Sequence, residues 1–112
     1  MKAEIIEARL RATDIPLEDE KAVPMNGIQK PLPYQVVRKE ETVDGDDAGR
    51  VRLRRIRWTV ALFSANKAPE LEQKIVRALA AVGGVAVQPF PDGAPYQTNF
   101  EFNTTEKMTG GN

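Results

Sequence analysis

The sequence predicts a small α+β protein in which two helices pack on one face of a four-stranded, mainly antiparallel sheet. Three segments carry this prediction. Residues 50–64 and 96–104 alternate apolar and polar side chains as strands do, whereas residues 69–82 place their apolar side chains at helical spacing. The predicted element order is α-β-β-α-β-β. A two-layer arrangement is the simple way to bury the apolar side of each element.

The composition bounds the class of protein. The chain has 112 residues, which suits one domain spanning 1–112, and its 16 basic and 16 acidic residues give a net charge of zero. A neutral chain has no general attraction to nucleic acid or anionic membranes. Cysteine and histidine are absent, so disulfides and Cys/His zinc sites are excluded and the commonest general base is missing. We therefore expect no enzymatic activity, no cofactor and no metal site.

The cellular setting is predicted from the absence of membrane signals. The first residues are charged throughout and lack the apolar centre of a signal peptide. No apolar run approaches the ~20 residues that span a bilayer. We expect a protein that is made in a cytoplasm and does not contact a membrane.

The N-terminal third is predicted to be a helix followed by a long loop. Residues 1–13 place Ile6 and Leu10 four apart, and Asp14 and Pro16 end the helical pattern. Residues 14–33 show no period and contain several prolines. A loop of this length is usually functional or disordered.

A strand pair and a helix are predicted next. Residues 33–41 form a strand, 42–49 a turn, and 50–64 a second strand whose two faces exchange character near Arg54 and Arg55. Either a bulge preserves a single core face there, or the first part of the strand projects beyond the core as an arm. Pro69 begins the helix, which ends at Gly83 and Gly84.

The C-terminal part is predicted to contain two strands and a tail. Residues 85–90 form an edge strand because Pro89 lacks a backbone donor. Residues 96–104 form a half-buried strand, and 105–112 a flexible tail. The aromatic side chains expected in the core are Trp58, Phe63, Phe100 and Phe102.

Five arginines fall within eight positions of the second predicted strand, at Arg50, Arg52, Arg54, Arg55 and Arg57. Three interpretations remain open. The arginines form either a docking surface for carboxylates or phosphates, or a solvated strand face that prevents aggregation, or a nucleic-acid site. Nucleic-acid binding would require aromatic side chains for stacking, and Trp58 is the nearest candidate.

An acidic segment precedes these arginines and contains Glu40, Glu41, Asp44, Asp46 and Asp47. It is consistent with a polar turn, and its Asp-Gly-Asp-Asp sequence lacks the ligand spacing of a calcium loop. An acidic segment next to a basic strand would also allow head-to-tail contacts, in which the acidic residues of one copy meet the arginines of the next and the copies close into a ring. Pairing of Glu40 and Glu41 with Arg50 and Arg52 inside one subunit competes with that contact.

Several segments together resemble a known family over residues 30–104. They are Pro33-Tyr34-Gln35-Val36-Val37, a charged hairpin, Val60-Ala61-Leu62-Phe63, the segment Asn66 to Ile75, and Tyr96 to Phe102. In the order and spacing of these segments and in the junction between strand and helix, the chain resembles the small tail terminator proteins of long-tailed bacteriophages and prophages. These are also called tail completion or head–tail joining proteins. The dense arginines and the proline-rich 14–33 loop have no counterpart in that pattern.

The resemblance implies a structural protein of the virion, located at the head-proximal end of the tail. Such proteins form a ring, usually hexameric, that stops growth of the tail tube and presents a surface to the head connector. The implied partners are other copies of the chain, the major tail tube protein and the connector, with DNA passing through the lumen. The expected subunit or lumen contacts are Arg50, Arg52, Arg54, Arg55, Asp44, Asp46 and Asp47. The alternative is a small nucleic-acid-binding module that uses the arginine-rich strand.

Overall fold

A computed structural model of the chain describes residues 2–19, 32–45, 51–92 and 95–109, with residues 19, 44–45, 51–52 and 108–109 described by their backbone alone. The described strands form one five-stranded sheet in the order β1-β2-β3-β5-β4. Strand β1 runs parallel to β2, and the other neighbours are antiparallel. The elements in chain order are α1 (Ala3–Arg11), β1 (Leu17–Asp19), β2 (Tyr34–Gly45), β3 (Val51–Ser64), α2 (Pro69–Ala78), β4 (Ala86–Phe90) and β5 (Tyr96–Thr109).

The predicted α+β class with two helices on one sheet face is confirmed, but the sheet has five strands and is mixed. The additional strand, β1, lies inside the predicted 14–33 loop. The backbone N–H of Gln35 donates to the carbonyl of Pro16 at 2.8 Å, immediately before β1 begins to pair with β2. Residues 20–31 of the predicted loop lie outside the described residues.

Strand β3 contains no bulge. Its pairing is continuous from Arg52 to Phe63 against β2 and from Val51 to Ser64 against β5. Arg54 therefore lies on the same sheet face as Ile56 and the core residues that follow. The two faces exchange character because the helix layer ends near Ile56, and the sheet continues beyond it.

The extension of the sheet beyond the helices is here called the arm and comprises residues 42–45, 51–55 and 105–109. The predicted turn at 42–49 is therefore wrong for 42–45, and the predicted tail at 105–112 is wrong for 105–109, since both segments are paired strand. Residues 46–50 and 110–112 lie outside the described residues. The arm makes the molecule long, 51 Å against 23 Å in its shortest dimension.

The core lies between the helices and one face of the sheet. Ile6 and Leu10 of α1 and Ile75 and Leu79 of α2 are buried against the sheet. Phe63 was expected in this core but lies on the opposite face, half-buried and stacked on Tyr34 with ring centroids 5.1 Å apart. The core residues from the sheet are Val37, Ile56, Trp58, Val60, Leu62, Phe100 and Phe102.

Helix α2 begins at Pro69 as predicted but ends earlier than the predicted residue 82. Pro69 occupies its first turn together with Glu70 and Glu72, whose charges favour the N-terminal end of the helix dipole. The helix ends at Ala78, a few residues before Gly84, which takes a positive φ of 71°. Neither of the described helices is long and apolar enough to cross a membrane.

A buried glutamine joins the end of α1 to the sheet. Gln35 is fully buried, and its amide nitrogen donates to the carbonyls of Leu10 at 3.0 Å and Ile15 at 3.1 Å. The same nitrogen lies 3.1 Å from the hydroxyl of Thr13. Asp14 takes a positive φ of 65°, which aspartate tolerates better than most residues. The glutamine thus connects β2 to the segment after α1, since it donates to Ile15 and adds a second side-chain donor to the carbonyl of Leu10, which also accepts from the hydroxyl of Thr13.

Candidate assembly interface

One face of the sheet, here called the open face, carries no helix among the described residues. Its two ends differ in chemistry. At the end where β2 begins, Tyr34 and Phe63 stack and Phe90 is 39% exposed. Towards the arm, charged and polar side chains replace the aromatic ones. Strand alternation and pairing place the following side chains on the open face of that region: Arg38, Glu40, Arg55, Arg57, Glu101 and Asn103.

The seven residues predicted at subunit contacts are only partly described. Arg50, Asp46 and Asp47 lie outside the described residues. Asp44 and Arg52 are described by their backbone, and they lie on neighbouring strands at the far end of the arm, where Gly45 pairs with Arg52. This arrangement brings acidic and basic positions to one end of the molecule.

Arg54 is held inside the subunit by two carboxylates. Its Nε and Nη2 donate to the two carboxylate oxygens of Glu41, and the Nη2 contact measures 3.1 Å. Its Nη1 donates to Glu106 at 3.3 Å. Glu106 also accepts the backbone N–H of Ala3, the first residue of α1, so the arm is fastened to the helix layer at this point.

The arginine-rich segment is divided between the two sheet faces. Arg54 lies on the helix-bearing face, whereas Arg55 and Arg57 are exposed on the open face. The intrasubunit pairing expected between Glu40 or Glu41 and Arg50 or Arg52 takes a different form, since Glu41 pairs with Arg54. A single continuous arginine surface on one face is therefore absent from the part of the segment that is described.

The Glu41–Arg54 pair shifts the protonation equilibria of both groups. The hydrogen bond from Arg54 lowers the pKa of Glu41, and the positive charges of Arg54 and Lys39 act in the same direction. The hydrogen bond to Glu41 raises the pKa of Arg54, with a further contribution from Glu106. Because the pKa of Glu41 is lower in the folded than in the unfolded state, the ion pair stabilises the fold at pH values above the unfolded-state pKa. That stabilisation is lost as the pH falls through the folded-state pKa.

We expect Arg54→Gln to return the pKa of Glu41 towards its ordinary value, because the variant loses the charge and the paired hydrogen bonds. The carboxyl ¹³C signal of Glu41, followed from pH 7 into the acid range, measures the shift. Arg57→Gln is the matched control, since Arg57 lies on the other face, and it should leave the titration of Glu41 unchanged. An unshifted Glu41 in the parent protein would contradict the ion pair.

Two groups of residues were missed by the sequence reasoning. Glu106 fell in the predicted tail, although it follows Phe102 and Thr104 at the two-residue spacing of one strand face. Arg9, Lys74 and Arg77 line a groove between the two helices. The sequence places Lys74 and Arg77 outside the apolar stripe of α2, but it does not indicate which helix faces they meet.

The described residues contain no cluster of three or more acidic, histidine or cysteine side chains placed to hold a metal ion. No protein-family model matches the chain, and no curated protein matches it. The described residues define an α+β protein with an arm at one end and one sheet face that none of its described helices covers.

Proposed function

We propose that the chain is a structural assembly protein of a tail terminator type, which forms a ring that caps a phage tail tube and joins it to the head connector. The subunits would contact one another through the arm and the open face. The end of the ring would offer no surface equivalent to a tube layer, so tube growth would stop there.

The observation that supports this proposal most is the arm. Its three strands extend beyond the core, and most of their described side chains are exposed, although Glu106 contacts the first turn of α1. Val43, on the helix-bearing face of the arm, is 48% exposed for this reason. A monomer gains little core from such an extension, whereas an assembly can bury it between copies.

The open face adds a second, independent support. Tyr34, Phe63 and Phe90 give it an aromatic end, and charged side chains give it a polar end. Aromatic and arginine side chains are enriched in protein interfaces, and charged rims fix the register between partners. The strand-to-helix order of residues 30–104, on which the resemblance to tail terminators rests, is also the order of β2, β3, α2, β4 and β5.

The nucleic-acid-binding alternative is less well supported. Trp58, the aromatic side chain closest to the arginines, is fully buried and faces the helices, so it offers no stacking surface. Arg54 is held by two carboxylates. Arg55 and Arg57 are the described members of the segment exposed on the open face, beside the carboxylates of Glu40 and Glu101.

We expect the purified protein to form a discrete oligomer that dissociates as salt is raised, because the arm brings opposite charges to the proposed contact and salt screens exposed charges over about 10 Å. Light scattering coupled to size exclusion at two salt concentrations measures the oligomer, and negative-stain images show whether it is a ring. Neighbouring genes for a major tail protein and a tape-measure protein would add independent support.

The control is a titration with short DNA and RNA at the same two salt concentrations. A nucleic-acid module predicts tight binding at low salt with a steep salt dependence. The proposal predicts assembly without that binding. A protein that stays monomeric at high concentration and low salt, with no neighbouring tail genes, would count against it.

A further inference from the structure

A basic groove lies between the C-terminal half of α1 and the outer side of α2. Its volume is about 450 Å³. Arg9 contributes from α1, and Lys74 and Arg77 contribute from α2, where a spacing of three residues places them on one side of the helix. All three side chains are exposed. Ala12 and Ala78 also line the groove and leave room between the helices.

The groove carries unbalanced positive charge. None of its three basic side chains forms an ion pair with a residue that the structure describes, and Asp14 is the carboxylate among the lining residues. Arg9 and Arg77 lie in the last turns of their helices, where they complement the negative end of each dipole. Lys74 lies earlier in α2, so the dipole does not account for the whole cluster.

The groove and Asp44 of the arm lie towards opposite ends of the molecule. Helix α1 runs antiparallel to β2, because Glu7 in the middle of α1 pairs with Lys39, whereas Leu10 near the end of α1 accepts from Gln35 near the start of β2. The groove therefore lies beside the beginning of β2, while Asp44 lies near the end of that strand. At about 3.3 Å per residue, roughly 30 Å of strand separates Gln35 from Asp44.

We infer that the groove receives the acidic segment Asp44–Asp47 of a second copy of the chain. This inference rests on the proposed assembly function and adds, to the contacts proposed above, a surface on the helix layer that receives the end of the arm. The segment supplies three carboxylates within four residues, which matches the three cations of the groove. Asp44, where the segment begins, lies at the other end of β2 from the groove, so we expect the segment to reach a groove on another copy. A contact between opposite ends is head-to-tail, and repeated copies of it form a ring if the rotation closes.

Charge reversal tests the contact. Lys74→Glu with Arg77→Glu makes the groove acidic, and Asp46→Lys with Asp47→Lys makes the segment basic. Each pair alone should raise the dissociation constant of the oligomer roughly tenfold or more, because like charges then meet. All four substitutions in one chain should restore assembly, since opposite charges meet again. Lys2→Glu with Arg11→Glu is the matched control, because it changes the net charge equally at exposed sites that do not line the groove.

The outcomes separate this inference from the proposed function. If the parent protein and the groove variant assemble equally well, the inference is overturned and the proposed function is left intact. Failure of the fourfold variant to restore assembly also overturns it, provided thermal melts show that the variant is folded. If the basic side chains of the groove serve only to complement the helix dipoles, the groove variant should melt at a lower temperature and form the same oligomer as the parent, which also overturns the inference. Parent protein that never assembles overturns both.

Discussion

Replacing Gln35 with glutamate is expected to lower the free energy of unfolding by about 3 kcal/mol or more at pH 7, because a carboxylate cannot donate a hydrogen bond and is costly to bury. The amide nitrogen of Gln35 faces the carbonyl oxygens of Leu10 and Ile15. A carboxylate oxygen in that position would meet two acceptors. Equilibrium denaturation in urea measures the loss.

The pH dependence of this variant identifies the cause. Burial beside carbonyl oxygens should raise the pKa of the introduced carboxyl above its unfolded value, because the protonated form can donate. The stability deficit relative to the parent should therefore be smallest below the unfolded pKa, about 4.3, and should grow as the pH rises towards the folded pKa. Its slope reaches at most about 1.4 kcal/mol per pH unit.

Gln35→Met is the matched control, since it keeps the length of the side chain and carries no titrating group. It should cost about 1–3 kcal/mol, because the carbonyl of Ile15 loses its side-chain donor while that of Leu10 keeps Thr13, and the loss should not vary with pH relative to the parent. The side-chain oxygen of Gln35 has no hydrogen-bond partner among the described residues, so its removal should add nothing. Equal pH profiles for the two variants would refute the proposed role of the amide.

Replacing Trp58 with alanine is expected to cost about 3–5 kcal/mol, the range for large core side chains that leave a cavity. Trp58 is fully buried and stacks on Phe102 with an interplanar angle of 10°. Its indole N–H donates to Thr104 at 2.8 Å, and Lys39 lies 5.7 Å from its ring centroid. One side chain thus joins β3, β5 and β2. Chemical denaturation of the folded variant gives the value.

A double-mutant cycle separates the hydrogen bond from the packing. Trp58→Phe keeps an aromatic ring but removes the donor, and Thr104→Val removes the acceptor. We expect a coupling of about 1 kcal/mol between the two substitutions, the usual size for a neutral hydrogen bond. Additive losses would mean that the indole N–H makes no net contribution to stability.

Periodicity predicted the elements that have one buried side. Helix α2 and the strand around Trp58 were predicted from their apolar spacing, and both are confirmed. Strand β1 could not be found in this way, because Leu17, Glu18 and Asp19 are too few to show a period. Thr105 to Thr109 is polar at most positions and read as a tail, yet it pairs along β3. Hydrophobic patterns report burial, so they miss strands that lie beyond the core.

The charged surface was less predictable than the fold. Arg54 and Arg55 are neighbours in the sequence and were predicted to act as one cluster, but the alternation of side chains along β3 places them on opposite faces of the sheet. Phe63 was assigned to the core by its type, whereas its position on β3 puts it on the open face. The groove between the helices joins Arg9 to Arg77, and only the tertiary packing of α1 on the sheet beside α2 makes them neighbours.

The position of β5 has a consequence for how the subunit is made. This strand is synthesised last among the described elements, yet it lies inside the sheet between β3 and β4. Glu106 near its end also binds the first turn of α1. A growing chain on the ribosome can form the β2–β3 hairpin, but it cannot close the core until β5 emerges. Interrupted translation products should therefore lack the finished surfaces that assembly needs, which would keep incomplete chains out of the oligomer.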